Sequence, residues 1–210
     1  MSRRYRVFVA LLSFAAVPWL QGAAPAESPF VGDDVYVNCE YRMAAHFPGE
    51  PKFRDITYRV GARSAPARQF YVERATGLLS VIVAHFLDGP AIDQSLLGPA
   101  ADEFRRRGTV RFESSVYYDE PIIPGRQLNI LLADGRVLRA HVYVADHRLY
   151  ITEATSEAAD SSAFRFEQSV SFIDAGGTDL DTNPPVAGTT IGTSAGLPSR
   201  RYDCSRLNRR

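Results

Sequence analysis

From residue 35 onward, apolar and polar positions alternate along much of the chain with a period of two, the pattern of half-buried strands. Val35, Val37, Cys39 and Tyr41 alternate with Tyr36, Asn38 and Glu40. Phe47-Pro48-Gly49-Glu50-Pro51 interrupts the alternation, because two prolines around a glycine cannot continue a ladder. Ile56, Tyr58 and Val60 restart it, residues 69–74 form another strand pattern, and residues 78–86 form the most apolar one. That last run is hydrophobic on both faces, Leu79/Val81/Val83 and Leu78/Ile82/Phe86, which predicts a central strand with cover on each side.

The period then lengthens. Residues 92–107 predict a helical interval, split by Pro99, which removes a donor in mid-helix but suits the first turn of a second piece. Ala100 and Phe104 share a face, and Arg105-Arg106-Arg107 falls at the C-terminal end, where cations complement the helix dipole. Residues 109–174 read as four strands closed by a helix. In the first, Val110, Phe112, Ser114 and Val116 share a face; in the second, Leu128, Ile130 and Leu132 do. The third places Leu138, Ala140, Val142 and Val144 opposite Arg139, His141 and Tyr143, and Leu149 and Ile151 continue the apolar side in the fourth. Asp134-Gly135 and Asp146-His147 are the predicted turns, Asp-Gly being the signature of a two-residue type I′ hairpin. Ser161 or Ser162 is expected to cap a helix whose buried stripe is Ala163, Phe166 and Val170. The pattern therefore predicts one α+β domain over residues 30–174, with about eight mostly antiparallel strands and helices near 92–107 and 160–171.

The two ends differ from this domain. Ser2-Arg3-Arg4-Tyr5-Arg6 is a basic n-region and residues 7–20 an apolar h-region, shorter than the ~20 residues a membrane span needs. Residues 1–26 are read as a signal peptide cut after Ala26, in the frame Ala24-Pro25-Ala26 rather than Gly22-Ala23-Ala24. Ser2-Arg3-Arg4 also resembles a twin-arginine export signal, although Arg6 stands where that motif has an apolar residue. The expected location is periplasmic or secreted, with no stable membrane anchor after cleavage. Residues 175–210 form a tail, its first part rich in Gly, Thr, Pro, Ser and Ala and expected to be irregular.

Charge then narrows the partners. The full chain balances 24 basic against 24 acidic residues, and loss of Arg3, Arg4 and Arg6 leaves the 184-residue mature chain at 21 against 24. That balance provides no footprint for nucleic acid or an anionic membrane. Cys39 and Cys204, the only cysteines, are expected to pair in an oxidising compartment and tie the tail back.

Candidate chemistry is sparse. Gly192-Thr193-Ser194-Ala195-Gly196 matches the G-x-S-x-G nucleophile elbow, but Pro198 follows at once and no histidine lies beyond His147. Asp179, Asp181 and Asn183 have the spacing that opens a calcium loop, yet Pro184 stands where that loop has glycine and Thr190 where it has glutamate. His46, His85, His141 and His147 lie at no metal-ligand spacing, and no phosphate or dinucleotide fingerprint is present, so no cofactor is expected. His85 shares parity with Val81 and Val83, as a core or strand-end histidine would. The polar strand face Arg139, His141, Tyr143 is the candidate binding surface.

At Phe47-Pro48-Gly49-Glu50-Pro51, at Pro66-Ala67-Arg68-Gln69-Phe70-Tyr71-Val72 and at Leu79-Ser80-Val81-Ile82-Val83, the chain resembles a group of uncharacterised exported bacterial proteins. The resemblance returns at Pro124-Gly125-Arg126, at Arg148-Leu149-Tyr150 and along Ala163-Phe164-Arg165-Phe166-Glu167-Gln168-Ser169-Val170-Ser171-Phe172, and spans residues 43–173. That group is similar to the PsbP-like fold, an α/β/α sandwich with an antiparallel sheet between helices. Its better-known users are assembly or binding subunits, and it has no established active site to carry over. The lack of a catalytic signature, with the resemblance beside it, favours an exported accessory or binding protein over an enzyme, working on a protein partner or small ligand through a sheet face or a strand edge. The alternatives are a small-ligand carrier, with a cavity near Tyr117, Tyr143 and Tyr150, and a hydrolase using Ser194.

Overall fold

A computed structural model describes residues 30–31, 35–118, 123–180 and 201–207. The expected signal segment lies outside these residues, as do Asp181, Asn183 and the Gly192–Gly196 motif with Ser194.

The fold is α+β and mostly antiparallel. Among the described residues it has eleven strands in two sheets rather than about eight in one: β1 (Phe30–Val31), β2 (Val35–Asn38), β3 (Met43–Ala45), β4 (Lys52–Val60), β5 (Arg63–Arg74), β6 (Gly77–His85), β7 (Gly108–Tyr118), β8 (Ile123–Leu132), β9 (Val137–Ala145), β10 (Arg148–Ser156) and β11 (Ser171–Phe172). The main sheet has seven strands in the order β4-β5-β6-β10-β9-β8-β7, and a four-stranded sheet has the order β1-β2-β3-β11. The helices are α1 (Leu97–Arg105), preceded by a 3-10 turn (Gln94–Leu96), α2 (Ser162–Ser169) and a single turn, α3 (Cys204–Leu207).

β6 sits between β5 and β10 with apolar side chains on both faces, as its sequence predicts. One face carries Ile82 and Ala84, which join Ala140, Val142, Val144, Leu149 and Ile151 beneath Leu97, Ala100, Ala101 and Phe104 of α1. The other carries Leu79, Val81 and Val83, packed with Phe70, Tyr143 and Tyr150 against Phe47, Phe166, Val170 and Phe172 from the small sheet and α2. Three layers result, with α1 on one side and α2 plus the small sheet on the other.

The main sheet is strongly curled. α1 contacts β7, β8 and β9 and also β4, the opposite edge of the sheet. In a flat sheet those edges would be about 29 Å apart, whereas a nine-residue helix is only ~13 Å long. The sheet wraps its concave face around α1, and the helix fills that concavity.

Pro99 falls in the first turn of α1, where its missing N–H is not needed. The three arginines at its end all meet carboxylates: Arg105 pairs with Asp102 and Glu113, Arg106 with Glu103 at 2.5 Å, and Arg107 with Glu153 at 2.6 Å. They close the helix and fasten it to the sheet.

Local details depart from the sequence expectation at five points. β2 is buried on both sides at Val35, Tyr36 and Val37, because one face of the small sheet meets the main core and the other is covered by Ile173 and Tyr202. Cys39 lies in the turn after β2 rather than on it. In β7 the register slips between Val110 and Phe112, so Val110 pairs with Ile130 and Phe112 with Asn129. This β-bulge at Arg111 sends Val110 and Phe112 to opposite faces. The type I′ geometry occurs at Asp146-His147, where both residues have positive φ (49° and 59°), whereas at Asp134-Gly135 only Gly135 does, at 84°. Finally, α2 starts at Ser161 without a bond from the serine side chain; the Asp160 carboxylate accepts from the Ser162 N–H at 2.8 Å and caps it instead.

Packing continues past Asp174. Isolated bridges join Ile173 to Asp179 and Thr178 to Arg201, Tyr202 is buried against Val35, Val37 and Ala44, and Cys204 is bonded to Cys39. The bond joins residues 165 apart in sequence, so it restricts most of the domain in the unfolded chain. Cys204→Ser should therefore destabilise by roughly 2–5 kcal/mol, read as a lower guanidinium unfolding midpoint; an unchanged midpoint would show that this closure contributes nothing.

Candidate functional site: the polar cluster beneath α2

The face of β9 that carries Arg139, His141 and Tyr143 is covered, not open. Ala163, Phe166 and Val170 form the apolar stripe of α2 as predicted, and Glu167 falls on the same stripe four residues after Ala163. Its side chain is fully buried. One carboxylate oxygen, Oε2, accepts from Nε of Arg139; the other, Oε1, accepts from Nε2 of Gln127 on β8 at 3.1 Å. Cross-strand register sets these partners in place, since His141 stands between Gln127 and Thr152, and Arg139 between Asn129 and Ala154.

His141 Nε2 lies 3.1 Å from Glu167 Oε1, but the atoms are not aligned as a hydrogen bond, and this buried nitrogen has no bonded partner among the described residues. Burial holds the His141 pKa below its ordinary value; the Glu167 charge opposes this and the Arg139 charge adds to it. The Arg139 guanidinium stacks 4.8 Å from the ring of Phe164, which caps it from the solvent side. Tyr143, one register step along, packs its ring against Phe172 at 5.2 Å and against His141 at 5.5 Å. Gly125 lies opposite Tyr143, and a Cβ there would stand 2.3 Å from the ring, so glycine gives the ring its seat. Chemically, the cluster is an anchor for α2: a buried carboxylate paired with a guanidinium and seated on two polar strand residues.

The other sequence candidates lie apart from this cluster. His85 does lie on the face with Val81 and Val83 and packs edge-on to Tyr41 at 5.6 Å; burial, then the nearby Arg148 charge, lower its pKa. His147 occupies its turn, and the His46 backbone N–H donates to Ser169 Oγ at 3.1 Å. Asp179 accepts from Ser171 Oγ at 3.0 Å. Among the described residues no group of His, Cys, Asp and Glu is arranged to hold a metal ion. Tyr143 and Tyr150 converge on Phe172, Tyr150 with a pKa pushed up to about 12 chiefly by burial, whereas Tyr117 is 68% exposed on β7. The three tyrosines do not line one cavity. A second stack, Arg68 between the rings of Tyr41 (5.0 Å) and Phe53 (4.9 Å), sits on the β4–β5 side, with Asp55 accepting from Arg68 at 2.6 Å.

No known protein-family model matches the chain, and no curated protein does. Among the described residues no helix is long and apolar enough to cross a membrane.

Two measurements check the anchor. Glu167→Ala leaves Arg139 and Gln127 without their partner under α2, and unfolding in denaturant should show a loss of about 3–5 kcal/mol; a loss below about 1 kcal/mol would mean that α2 is held by its apolar stripe alone. His141 binds its proton less readily folded than unfolded, where its pKa is 6.5, so its contribution is full above that value and declines as pH falls through it. His85 acts in the same direction. Stability should therefore fall between about pH 7 and 5, and His141→Phe should flatten that slope; an unaltered slope in this variant removes His141 from the account.

Proposed function

We propose that this protein is an exported, non-enzymatic accessory protein of the PsbP-like kind, which recruits a protein partner through an edge of its main sheet. The Cys39–Cys204 bond fits an oxidising compartment such as the periplasm or the cell exterior, in keeping with residues 1–26 acting as a signal peptide. Both faces of the main sheet are occupied by the chain's own elements, α1 on one and α2 with the small sheet on the other. The edges are what the fold leaves for a partner.

The observation that carries this reading is the exposure of β7. Among the described residues it ends the sheet, paired on one side only, and presents Phe112 at 48% and Tyr117 at 68% exposure, with Val110 beside them. An edge strand with free backbone groups and flanking aromatic anchors suits strand addition, in which main-chain bonds supply affinity and alternate side chains supply specificity. A photo-cross-linking residue placed at position 112 or 117 of the chain in its native cell should give one defined adduct. Cross-links that are diffuse at both positions, or no more abundant than from position 59 on β4, would refute the reading.

A further inference from the structure

Resting on that reading of β7, we propose that its partner strand is the β7 of a second copy of this chain, paired antiparallel with Ser114 on the twofold axis. The two edges of the main sheet differ in kind. β4 is guarded by exposed Lys52, Arg54, Asp55 and Arg59, charges that oppose edge-to-edge pairing. Between Phe112 and Tyr117, β7 carries a single charge, Glu113, and Arg105 neutralises it. Arg111, exposed at the bulge, has no carboxylate partner among the described residues.

The pattern of β7 complements itself. Phe112, Ser114 and Val116 pair with Asn129, Gln127 and Gly125, and so share the face toward α2; Glu113, Ser115 and Tyr117 share the face toward α1. A twofold axis perpendicular to a continuous sheet keeps each face on its own side, so only residues of one face can meet across the axis. With Ser114 on the axis, each Phe112 meets the other copy's Val116, and each Glu113 meets a Ser115. Arg111, turned out at the bulge, reaches the exposed ring of Tyr117, a cation–π pair on either side of the axis. No two like charges meet. Moving the axis to Phe112 would leave both Tyr117 rings uncovered, whereas the Ser114 register covers them. This isologous contact gives one closed sheet of fourteen strands, two copies of the seven.

The register can be tested directly, because both native cysteines are already bonded to each other. Opposed residues in an antiparallel pair have Cα atoms about 4.5–5.5 Å apart, within the range a disulfide bridges. With the Cys39–Cys204 bond intact, Ser114→Cys should cross-link two copies under a mild thiol oxidant such as diamide, which takes up the two thiol hydrogens as the S–S bond forms. Ser115→Cys, which opposes Glu113, should not. In sedimentation equilibrium the unaltered chain should dimerise, and Tyr117→Asp or Phe112→Lys should raise the dissociation constant at least about tenfold without changing the far-ultraviolet circular dichroism. A chain that stays monomeric into the high micromolar range, a dimer indifferent to both substitutions, or equal cross-linking at 114 and 115 overturns the proposal. If the chain is monomeric yet position 112 still captures a different protein in cells, the self-pairing fails and the edge reading stands.

Discussion

Two-sided burial of the central strands is the constraint on which the rest of the structure depends. β6, β9 and β10 each put apolar side chains on both faces, so the main sheet must be covered twice. α1, with Leu97, two alanines and Phe104 toward the sheet, enters the concave side closely enough for both sheet edges to reach it. The convex side is broader and takes a composite cover, α2 beside the small sheet. Curvature and cover are coupled: α1 packs its buried side chains into the concavity that the curled sheet forms.

The composite cover is held by polar and covalent fastenings as well as apolar contact. Glu167 inserts a carboxylate between strands that supply a guanidinium and an amide, so α2 can sit in one position only; a slip by a turn would leave a charge buried without its partner. On the far side of the small sheet, the segment carrying Tyr202 closes a small third core, and the Cys39–Cys204 bond binds it to the turn after β2. Arg42 and Arg148 both reach Asp146, which ties the small sheet to the β9–β10 turn. Each fastening joins elements distant in the chain, and together they make one packed unit of the two sheets.

With both faces covered, the two edges of the main sheet are exposed among the described residues, and they are unequal. β4 is charged along its length; β7 is aromatic, nearly uncharged and bulged at one end. An edge without guards is a liability for a chain meant to stay alone and an asset for one that assembles. The reading of an accessory protein and the self-pairing register both start from that asymmetry.

The long strands of the main sheet, most of their alternation and both main helices were legible in the sequence, because local periodicity follows directly from which side chains must leave water; the short strands β1, β3 and β11 were not. The pairing of Cys39 with Cys204 was legible as well, since these two are the only cysteines of the chain and an intramolecular bond can join only them. What the periodicity could not carry was which face would be covered by what. Arg139, His141 and Tyr143 look like strand surface until α2 is laid over them, and Glu167 looks like a solvated helix residue unless one counts four from Ala163 and asks what it would meet. The slip at Arg111 was equally hidden: a bulge is a relation between two strands, and no single strand's pattern contains it. The sequence alone determined an α+β chain of antiparallel strands with a strand apolar on both faces, because local hydrophobic spacing dictates that much. Only the tertiary structure decided that the sheet curls around α1, that the polar face becomes a buried anchor and that β7 ends the sheet among the described residues, because each of these depends on contacts between segments far apart in the chain.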